Sequence, residues 1–235
     1  MPITTILFDL DGTLVPMDQD IFIGDYFRRI AASLAPHGYD PKKLVDTILR
    51  GTEAMIRNTS GRSNEAVFWE TAVSLYGEQL LEDKHHFDTF YEMEFDKIRD
   101  VCGYNPAAAE TIHSLKEAGY RVILATNPIF PARATEQRIG WAGLRPEDFA
   151  LVTTYENINC SKPNLAYYTE ILRRFDLRPE ECLMVGNDVS DDMVAEKIGM
   201  KVFLLTDCLI NKEHADISVY PNGSFRELKD YIQSL

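Results

Sequence analysis

Cysteine is scarce in this sequence, and its few copies share no pattern. The 235 residues include 4 cysteines, which lie far apart without any Cys-x-x-Cys pair: Cys102, Cys160, Cys182 and Cys208. Disulfide frameworks and structural zinc sites both depend on regularly spaced cysteines. The sequence therefore predicts neither, and we expect reduced thiols that pack as small apolar side chains.

Basic residues are outnumbered as well. Lys and Arg total 24 against 37 Asp and Glu, which gives a formal net charge of -13. A chain of this charge repels the phosphate backbone of nucleic acids and the headgroups of anionic lipids. We therefore expect no nucleic-acid partner and no membrane surface as a partner.

Long apolar runs and a basic N-terminal start are both missing. No stretch approaches the roughly 20 residues of a membrane-spanning helix. The segment Met1-Pro2-Ile3-Thr4 lacks the positive charge that begins a secretory signal, so we expect a cytoplasmic protein. What the sequence does have is 45% hydrophobic residues, with 11% aromatic residues, which suffices for a buried core and a smaller second unit.

Four short apolar runs each end in polar residues. They are Ile6-Leu7-Phe8, Val122-Ile123-Leu124, Cys182-Leu183-Met184-Val185 and Val202-Phe203-Leu204-Leu205, with Phe149-Ala150-Leu151-Val152 as a weaker fifth. Runs of this kind are typical of strands buried on both faces of a parallel sheet. Each run therefore predicts one strand.

Helical patterns lie between these runs. One opens at Asn105-Pro106, another begins near Lys162-Pro163, and the last starts at Ser224, where Glu227 completes a capping box. Alternation of strand and helix predicts an α/β fold with a doubly wound, mostly parallel, Rossmann-like sheet.

Residues 15–104 interrupt this alternation, because they contain helical patterns but no convincing strand run. Asp40-Pro41 and Ser63-Asn64 are start signals for two of these helices. The pattern predicts an all-helical domain over 15–104, inserted into a core made of 1–14 and 105–235. The polar stretch 58–64 predicts a loop within the insertion, and its Arg62 either reaches a substrate or remains solvated.

Asp9 and Asp11 follow the first run, two residues apart. An extended backbone points both carboxylates the same way before Gly12 permits a sharp turn. A carboxylate can attack phosphorus to form an acyl phosphate, while a second carboxylate protonates the leaving oxygen and later takes a proton from water. The pair therefore predicts a nucleophile and a general acid/base for phosphoryl transfer.

Carboxylates and a phosphate dianion repel each other, so this chemistry needs a cation, and Mg²⁺ prefers such oxygen ligands. Asp9 and Asp11 would share the metal with carboxylates from the polar end of the third run. That segment, Gly186–Met193, offers three aspartates. Asp188 and Asp192 are the first choice, with Asp191 as the alternative.

Fixed donors must also stabilise charge on the phosphoryl oxygens. The hydroxyl of Thr126, the amide of Asn127 and the ammonium of Lys162 could supply them. Because Lys162 precedes Pro163, it is expected at the N-terminus of a helix, which favours an anion.

Together these residues resemble a known family. Phe8-Asp9-Leu10-Asp11-Gly12-Thr13-Leu14 is similar to the first motif of the haloacid dehalogenase-like superfamily; the second, third and fourth motifs resemble Thr126-Asn127, Lys162-Pro163 and Gly186 to Asp192. The resemblance implies Asp9 as nucleophile, Asp11 as acid/base, Lys162 as charge stabiliser and Asp188 as metal ligand, with Thr126 and Asn127 binding phosphate. It also implies that the helical insertion is a mobile cap that covers the site and selects the substrate.

The fourth motif departs from the family pattern, because it reads Gly186-Asn187-Asp188 where Gly-Asp is commoner. Asp188 with Asp192 preserves the four-residue carboxylate spacing, whereas Asn187 with Asp191 preserves the distance to the next glycine. We prefer the first register, since a carboxylate binds Mg²⁺ better than an amide does.

The sequence thus predicts a Mg²⁺-dependent phosphomonoester hydrolase that acts on a small phosphorylated metabolite through an aspartyl-phosphate. A phosphosugar mutase uses the same core residues and stays open. A phosphonate hydrolase would need a cap lysine, for which Lys42, Lys43 and Lys84 are candidates. A non-enzymatic binding module is disfavoured, because it need not retain both Asp9 and Asp11. The substrate's identity and the oligomeric state are left open.

Overall fold

The computed structural model describes residues 2–235. Its sheet has five strands in the order β2-β1-β3-β4-β5, and every neighbouring pair is parallel. The strands are β1 Thr5–Phe8, β2 Arg121–Leu124, β3 Cys182–Gly186, β4 Lys201–Leu205 and β5 Asn222–Gly223. The first four coincide with the four apolar runs, and the predicted doubly wound α/β core is confirmed.

The strand predicted at 149–152 is largely wrong. The segment lies along β2, where Thr153 N donates to Leu124 O at 3.0 Å, but only Val152 forms a bridge, to Leu124. On the side away from β2, the Asn157 side chain donates to Val152 O at 2.8 Å and accepts from Thr154 N at 3.0 Å, which holds the turn that follows this segment. The fifth strand of the sheet is instead the two-residue β5.

The elements described between residues 15 and 104 are helices: α1 Gln19–Leu34, α2 Pro41–Ile56, α3 Asn64–Tyr76, α4 Gln79–Glu82 and α5 Lys84–Met93, followed by a 3₁₀ helix at Phe95–Val101. The predicted start signals hold, since Asp40 caps α2 and Ser63 caps α3 through their side chains. We call residues 15–104 the cap. Its separation from the core as a domain stays a prediction.

Four further α-helices flank the sheet: α6 Pro106–Glu117, α7 Ala132–Trp141, α8 Leu165–Arg174 and α9 Phe225–Gln233. Asn105 caps α6, and Ser224 with Glu227 forms the predicted capping box of α9. The helix after Lys162 begins later than predicted, because Asn164 is its cap and Leu165 its first residue.

A continuous apolar cluster joins the sheet to the cap. The rings of Phe95 and Trp141 stack with centroids 5.6 Å apart, and Phe22 of α1 meets both edge-on at 6.4 Å. Aromatic contacts of this kind add to the stabilisation from buried area. Within residues 2–235, none of the helices combines the length and the apolar character needed to cross a bilayer.

Candidate active site

A cavity of about 310 Å³ opens at the carboxyl ends of β1, β2 and β3. This is the edge of a parallel sheet at which loops from different strands converge. All seven residues predicted from the sequence line it: Asp9, Asp11, Thr126, Asn127, Lys162, Asp188 and Asp192. We call this cavity the carboxylate pocket.

Lys162 lies between two carboxylates at the base of the pocket. Its Nζ donates to Asp9 Oδ1 at 2.9 Å and to Asp192 Oδ1 at 2.6 Å, and its side chain is only 1% exposed. Burial lowers the pKa of Lys162, but the charges of Asp192 and Asp9 outweigh burial and hold that pKa well above its ordinary value. The ammonium is therefore permanently charged and fixed beside Asp9.

Both oxygens of Asp192 are already occupied. Oδ1 accepts from Lys162, and Oδ2 accepts from the backbone N–H of Asp188 at 3.0 Å. Gly186 permits this approach, since a Cβ there would come within 2.0 Å of Asp192 Oδ2. This geometry argues against the predicted role of Asp192 as a metal ligand and makes it the partner that positions Lys162.

Asp191 faces the pocket instead. Its Oδ2 accepts from the Asn127 amide at 3.2 Å, and burial raises the pKa of its carboxyl. Asp188 also faces the pocket, where its Oδ1 accepts two backbone N–H groups while Oδ2 has no recorded partner among residues 2–235. Asp188 and Asp191 are therefore the carboxylates of this loop that face the pocket with an oxygen not held by Lys162, and which pair binds a metal stays a prediction.

Asn187 forms hydrogen bonds to two neighbouring loops. Its Oδ1 accepts from the Thr13 hydroxyl at 2.9 Å, and its Nδ2 donates to Cys208 O at 2.7 Å. Gly12 has φ +82°, and a Cβ there would lie 2.3 Å from Asn187 Nδ2. The glycine is thus required both by its backbone angle and by close packing. Asn187 joins the loop after β1 to the loop after β4.

Asp11 is paired with an arginine that sequence reasoning missed. Arg138 of α7 is fully buried, and its guanidinium donates to Asp11 Oδ2. It also donates to the Ala134 carbonyl and the Thr135 hydroxyl, each at 3.3 Å, and lies 4.5 Å from the centre of the Phe130 ring. These contacts with α7, the Phe130 ring and the Asp11 carboxylate together fix the position of the guanidinium.

Burial raises the pKa of Asp11 above its ordinary value, although the Arg138 charge lowers it in part and Asp9 raises it further. Asp11 Oδ1 is buried and has no hydrogen-bond partner in the part of the chain that the structure describes. A carboxyl group with a raised pKa and a free oxygen suits a proton donor.

Three side chains hold the loops after β2 and β3 through hydrogen bonds to their backbone. The hydroxyls of Tyr167 and Thr153 donate to Thr126 O at 2.9 and 2.7 Å, and the hydroxyl of Tyr168 donates to Asp191 O at 2.6 Å. Buried hydrogen bonds of this kind restrict the loops to one conformation.

Hard oxygen donors on one wall fit Mg²⁺. Asp9, Asp188 and Asp191 all line the carboxylate pocket, and carboxylate oxygens are ligands that Mg²⁺ prefers. Within residues 2–235, however, no three His, Cys, Asp or Glu side chains are already grouped closely enough to hold a metal ion. The ligand atoms are therefore of the type that suits Mg²⁺. Binding requires these three carboxylates to move closer together.

The cap contributes Met17, Gln19, Phe22 and Ile23 to the pocket and nothing from 58–64. The hypothesis that Arg62 reaches the substrate is wrong, since Arg62 is half exposed and pairs with Glu70 at 2.5 Å.

The cap lysines also lie elsewhere. Lys84 pairs with Glu65 at 2.9 Å, and Lys43 lies 4.1 Å above the Tyr76 ring. The lysines that line the pocket are Lys162 and Lys212, both outside the cap. Nothing in this arrangement favours a phosphonate hydrolase.

The stretch 58–64 holds the cap against the core through hydrogen bonds. The loop predicted over 58–64 ends at residue 63, because Asn64 already belongs to α3. Asn64 is fully buried as the first residue of α3, and its amide donates to Pro128 O at 3.0 Å and to Ser161 Oγ at 2.9 Å. Asn58 in turn donates to Asn64 Oδ1 at 2.9 Å. Because Pro128 follows Asn127 and Ser161 precedes Lys162, this network holds the cap against the loops that carry these two predicted site residues.

We expect Asn64→Ala to lower the free energy of unfolding by about 2–3 kcal/mol, because it leaves several buried polar groups unpaired. Urea unfolding monitored by circular dichroism measures this change. Thr59→Ala, on the exposed part of the same loop, is the control and should stay within about 0.5 kcal/mol. Equal effects of the two changes would contradict the role given to Asn64.

Known proteins resemble this chain along most of its length. A family model described as haloacid dehalogenase-like hydrolase matches residues 3–199. Pyrophosphatase PpaX of Bacillus thuringiensis (strain Al Hakam) is 27% identical over 237 residues, which cover 100% of this chain and 97% of the relative. PpaX of Bacillus cereus (strain ATCC 10987 / NRS 248) is 28% identical over 238 residues, with the same coverage.

Solved structures share the fold. A predicted phosphoglycolate phosphatase from Haemophilus somnus 129PT has a TM-score of 0.60 at 22% identity and covers 97% of both chains. A 2-haloacid dehalogenase from Pseudomonas syringae pv. tomato DC3000 has a TM-score of 0.67 at 18% identity, covering 99% of this chain and 98% of its own. At these identities the likeness concerns the fold.

Proposed function

Because the chain belongs to the haloacid dehalogenase-like hydrolase family, we propose that it hydrolyses phosphomonoesters of small metabolites through an aspartyl-phosphate at Asp9, with Mg²⁺ as cofactor. The resemblance drawn from the four motifs is confirmed, and the chain is an enzyme of the phosphatase type. The observation that carries the finer proposal is the carboxylate pocket itself, where Asp9 and Asp11 face Thr126, Asn127 and Lys162.

In the first step, an Asp9 carboxylate oxygen attacks phosphorus and the bond from phosphorus to the ester oxygen breaks. Asp11 gives its proton to the departing oxygen, for which its raised pKa prepares it. Lys162, held beside Asp9, stabilises negative charge on the phosphoryl group, with Thr126 and Asn127 as further donors.

In the second step, water attacks the phosphorus of the acyl phosphate. Asp11, now a carboxylate, takes a proton from that water, and the bond between phosphorus and Asp9 breaks to release phosphate and regenerate the free carboxylate. Arg138 keeps Asp11 in place through both proton transfers.

We assign the metal to Asp9, Asp188 and Asp191. This differs from the predicted set in two places. Asp192 is left out because both of its oxygens already accept hydrogen bonds, and Asp11 is left out because it is assigned to proton transfer, with Oδ2 held by Arg138 and Oδ1 free within residues 2–235. Bound Mg²⁺ would offset the repulsion between these carboxylates and a phosphate dianion. The cap, residues 15–104, supplies the wall opposite the carboxylates and would shield the reacting groups from bulk water.

The test is hydrolysis of a panel of phosphate esters by the purified protein. We expect free phosphate with Mg²⁺, loss of activity with a chelator and recovery when Mg²⁺ is restored. Acid quenching followed by peptide mass spectrometry should locate one phosphoryl group on Asp9. A mutase would return an isomeric ester in place of free phosphate. Activity that survives chelation, or a phosphoryl group on another residue, would contradict the proposal.

A further inference from the structure

A second cavity, of about 100 Å³, lies beside the carboxylate pocket between the cap and residues 129–131. Its walls are aliphatic and aromatic, and no charged side chain lines it. The aromatic members of its lining are Tyr26, Phe27, Phe68, Trp69, Phe87, Tyr91, Phe130 and Tyr155. We call it the aromatic cavity.

The two cavities share a wall. Ile23 of α1, Ile129 and Phe130 line both. The loop that carries Thr126 and Asn127 continues directly into Ile129 and Phe130. Because Ile129 N also donates to Asn127 O at 2.9 Å, a phosphoryl group held by Thr126 and Asn127 would lie close to this shared wall.

The size of the aromatic cavity limits its occupant. An apolar cavity of about 150 Å³ can hold benzene, whereas one water occupies about 30 Å³ of liquid. About 100 Å³ therefore suits a single small ring or a branched chain of similar size.

The charge and the hydrogen-bonding groups of the aromatic cavity further limit which molecule can occupy it. An anionic group would lose its hydration among apolar walls and gain no cation, which is costly. The hydroxyls of Tyr26 and Tyr91 pair with each other at 2.9 Å, and the Thr52 hydroxyl donates to Ile48 O at 3.0 Å. The buried indole Nε1 of Trp69 lies beside the Tyr155 hydroxyl, which also lines the cavity, so that hydroxyl is its nearest acceptor.

We propose that the aromatic cavity binds the leaving group of the substrate, and that this leaving group is an uncharged, apolar ring or branched chain. The proposal rests on the proposed function and specifies its substrate class. The ester oxygen stays in the carboxylate pocket. There its bond to phosphorus breaks and Asp11 protonates it, as in the proposed first step. Only the apolar remainder of the alcohol enters the aromatic cavity.

The test compares benzyl phosphate with phosphoglycolate, whose leaving group is anionic. Both are phosphate esters of aliphatic alcohols, so the reacting ester oxygen is of the same kind. The comparison therefore concerns the group attached to that oxygen. Thr52→Phe fills the cavity from α2, at a residue outside the catalytic groups, and Thr52→Ser is the matched control. We expect Thr52→Phe to lower the ratio of kcat/KM for benzyl phosphate to that for phosphoglycolate by about tenfold or more, and Thr52→Ser to leave it unchanged.

This ratio does not depend on the fraction of folded enzyme, because both substrates are measured on one preparation. An unchanged ratio in Thr52→Phe, or a wild type that hydrolyses phosphoglycolate but not benzyl phosphate, would overturn the leaving-group proposal alone. No hydrolysis of any ester would instead overturn the proposed function.

Discussion

Asp9→Asn should abolish phosphatase activity and leave the fold intact. An amide oxygen is a far poorer nucleophile than a carboxylate, and loss of a covalent nucleophile lowers kcat by about 10⁴-fold or more. The fold should tolerate the change, because Lys162 keeps its shorter bond to Asp192, at 2.6 Å. Phosphate release under saturating substrate measures the first effect, and thermal unfolding measures the second.

Asp230→Asn is the matched control, since it removes the same charge from an exposed position on α9. Its kcat should equal that of the wild type within about twofold, as surface changes have small effects. An Asp9→Asn enzyme with more than about a hundredth of wild-type kcat, after contamination is excluded, would refute Asp9 as the nucleophile.

Arg138→Met is expected to impair both stability and catalysis. Removal of a buried cation leaves the Asp11 carboxylate buried and unpaired, which costs about 3–5 kcal/mol of unfolding free energy. The same change frees Asp11 to move, and misplacement of a catalytic group by about 1 Å can cost about 100-fold in rate. Because Arg138 is outside the lining of the carboxylate pocket, KM should change little while kcat falls.

A double-mutant cycle distinguishes the interaction between Arg138 and Asp11 from a general effect of Arg138 on packing. Asp11→Asn removes the charge that Arg138 neutralises, so the double variant should unfold with a coupling energy of about 1–3 kcal/mol relative to the two single changes. Arg138→Lys retains the charge and should recover part of kcat. A coupling energy near zero, or a loss confined to KM, would show that Arg138 does not position Asp11.

The sequence predicted the sheet well where apolar runs were dense. β1 and β3 are fully buried on both faces, so their patterns of consecutive apolar residues left little ambiguity. β5 consists of Asn222 and Gly223, which carry no strand signal, and it pairs only because β4 offers an edge. Six of the predicted pocket residues were predictable for a related reason, since each follows a strand whose end the fold brings to one place: Asp9, Asp11, Thr126, Asn127, Asp188 and Asp192. Lys162 follows no strand and was identified by the motif Lys162-Pro163.

Arg138 and Asn64 were not predictable in the same way. Arg138 stands in a helix rich in polar residues, where the expected environment is solvent, and its burial arises because α7 packs against α5 and the 3₁₀ helix Phe95–Val101. Asn64 was interpreted as part of a polar loop, yet it is enclosed by residues that are 64 and 97 positions away in the chain. Neither contact leaves a local pattern, because the partners meet only in the folded chain.

The strand order has a consequence for how the protein is made. β1 is synthesised first, yet its partners in the sheet, β2 and β3, begin at Arg121 and Cys182. At ribosomal rates of about 5–20 residues per second, the first strand waits roughly ten seconds or longer before its second neighbour leaves the ribosome. The cap helices, whose contacts are local, can form during this interval. The strand that carries Asp9 thus emerges early as an unpaired apolar segment, and we expect newly made chains to depend on chaperones until the third strand has been translated.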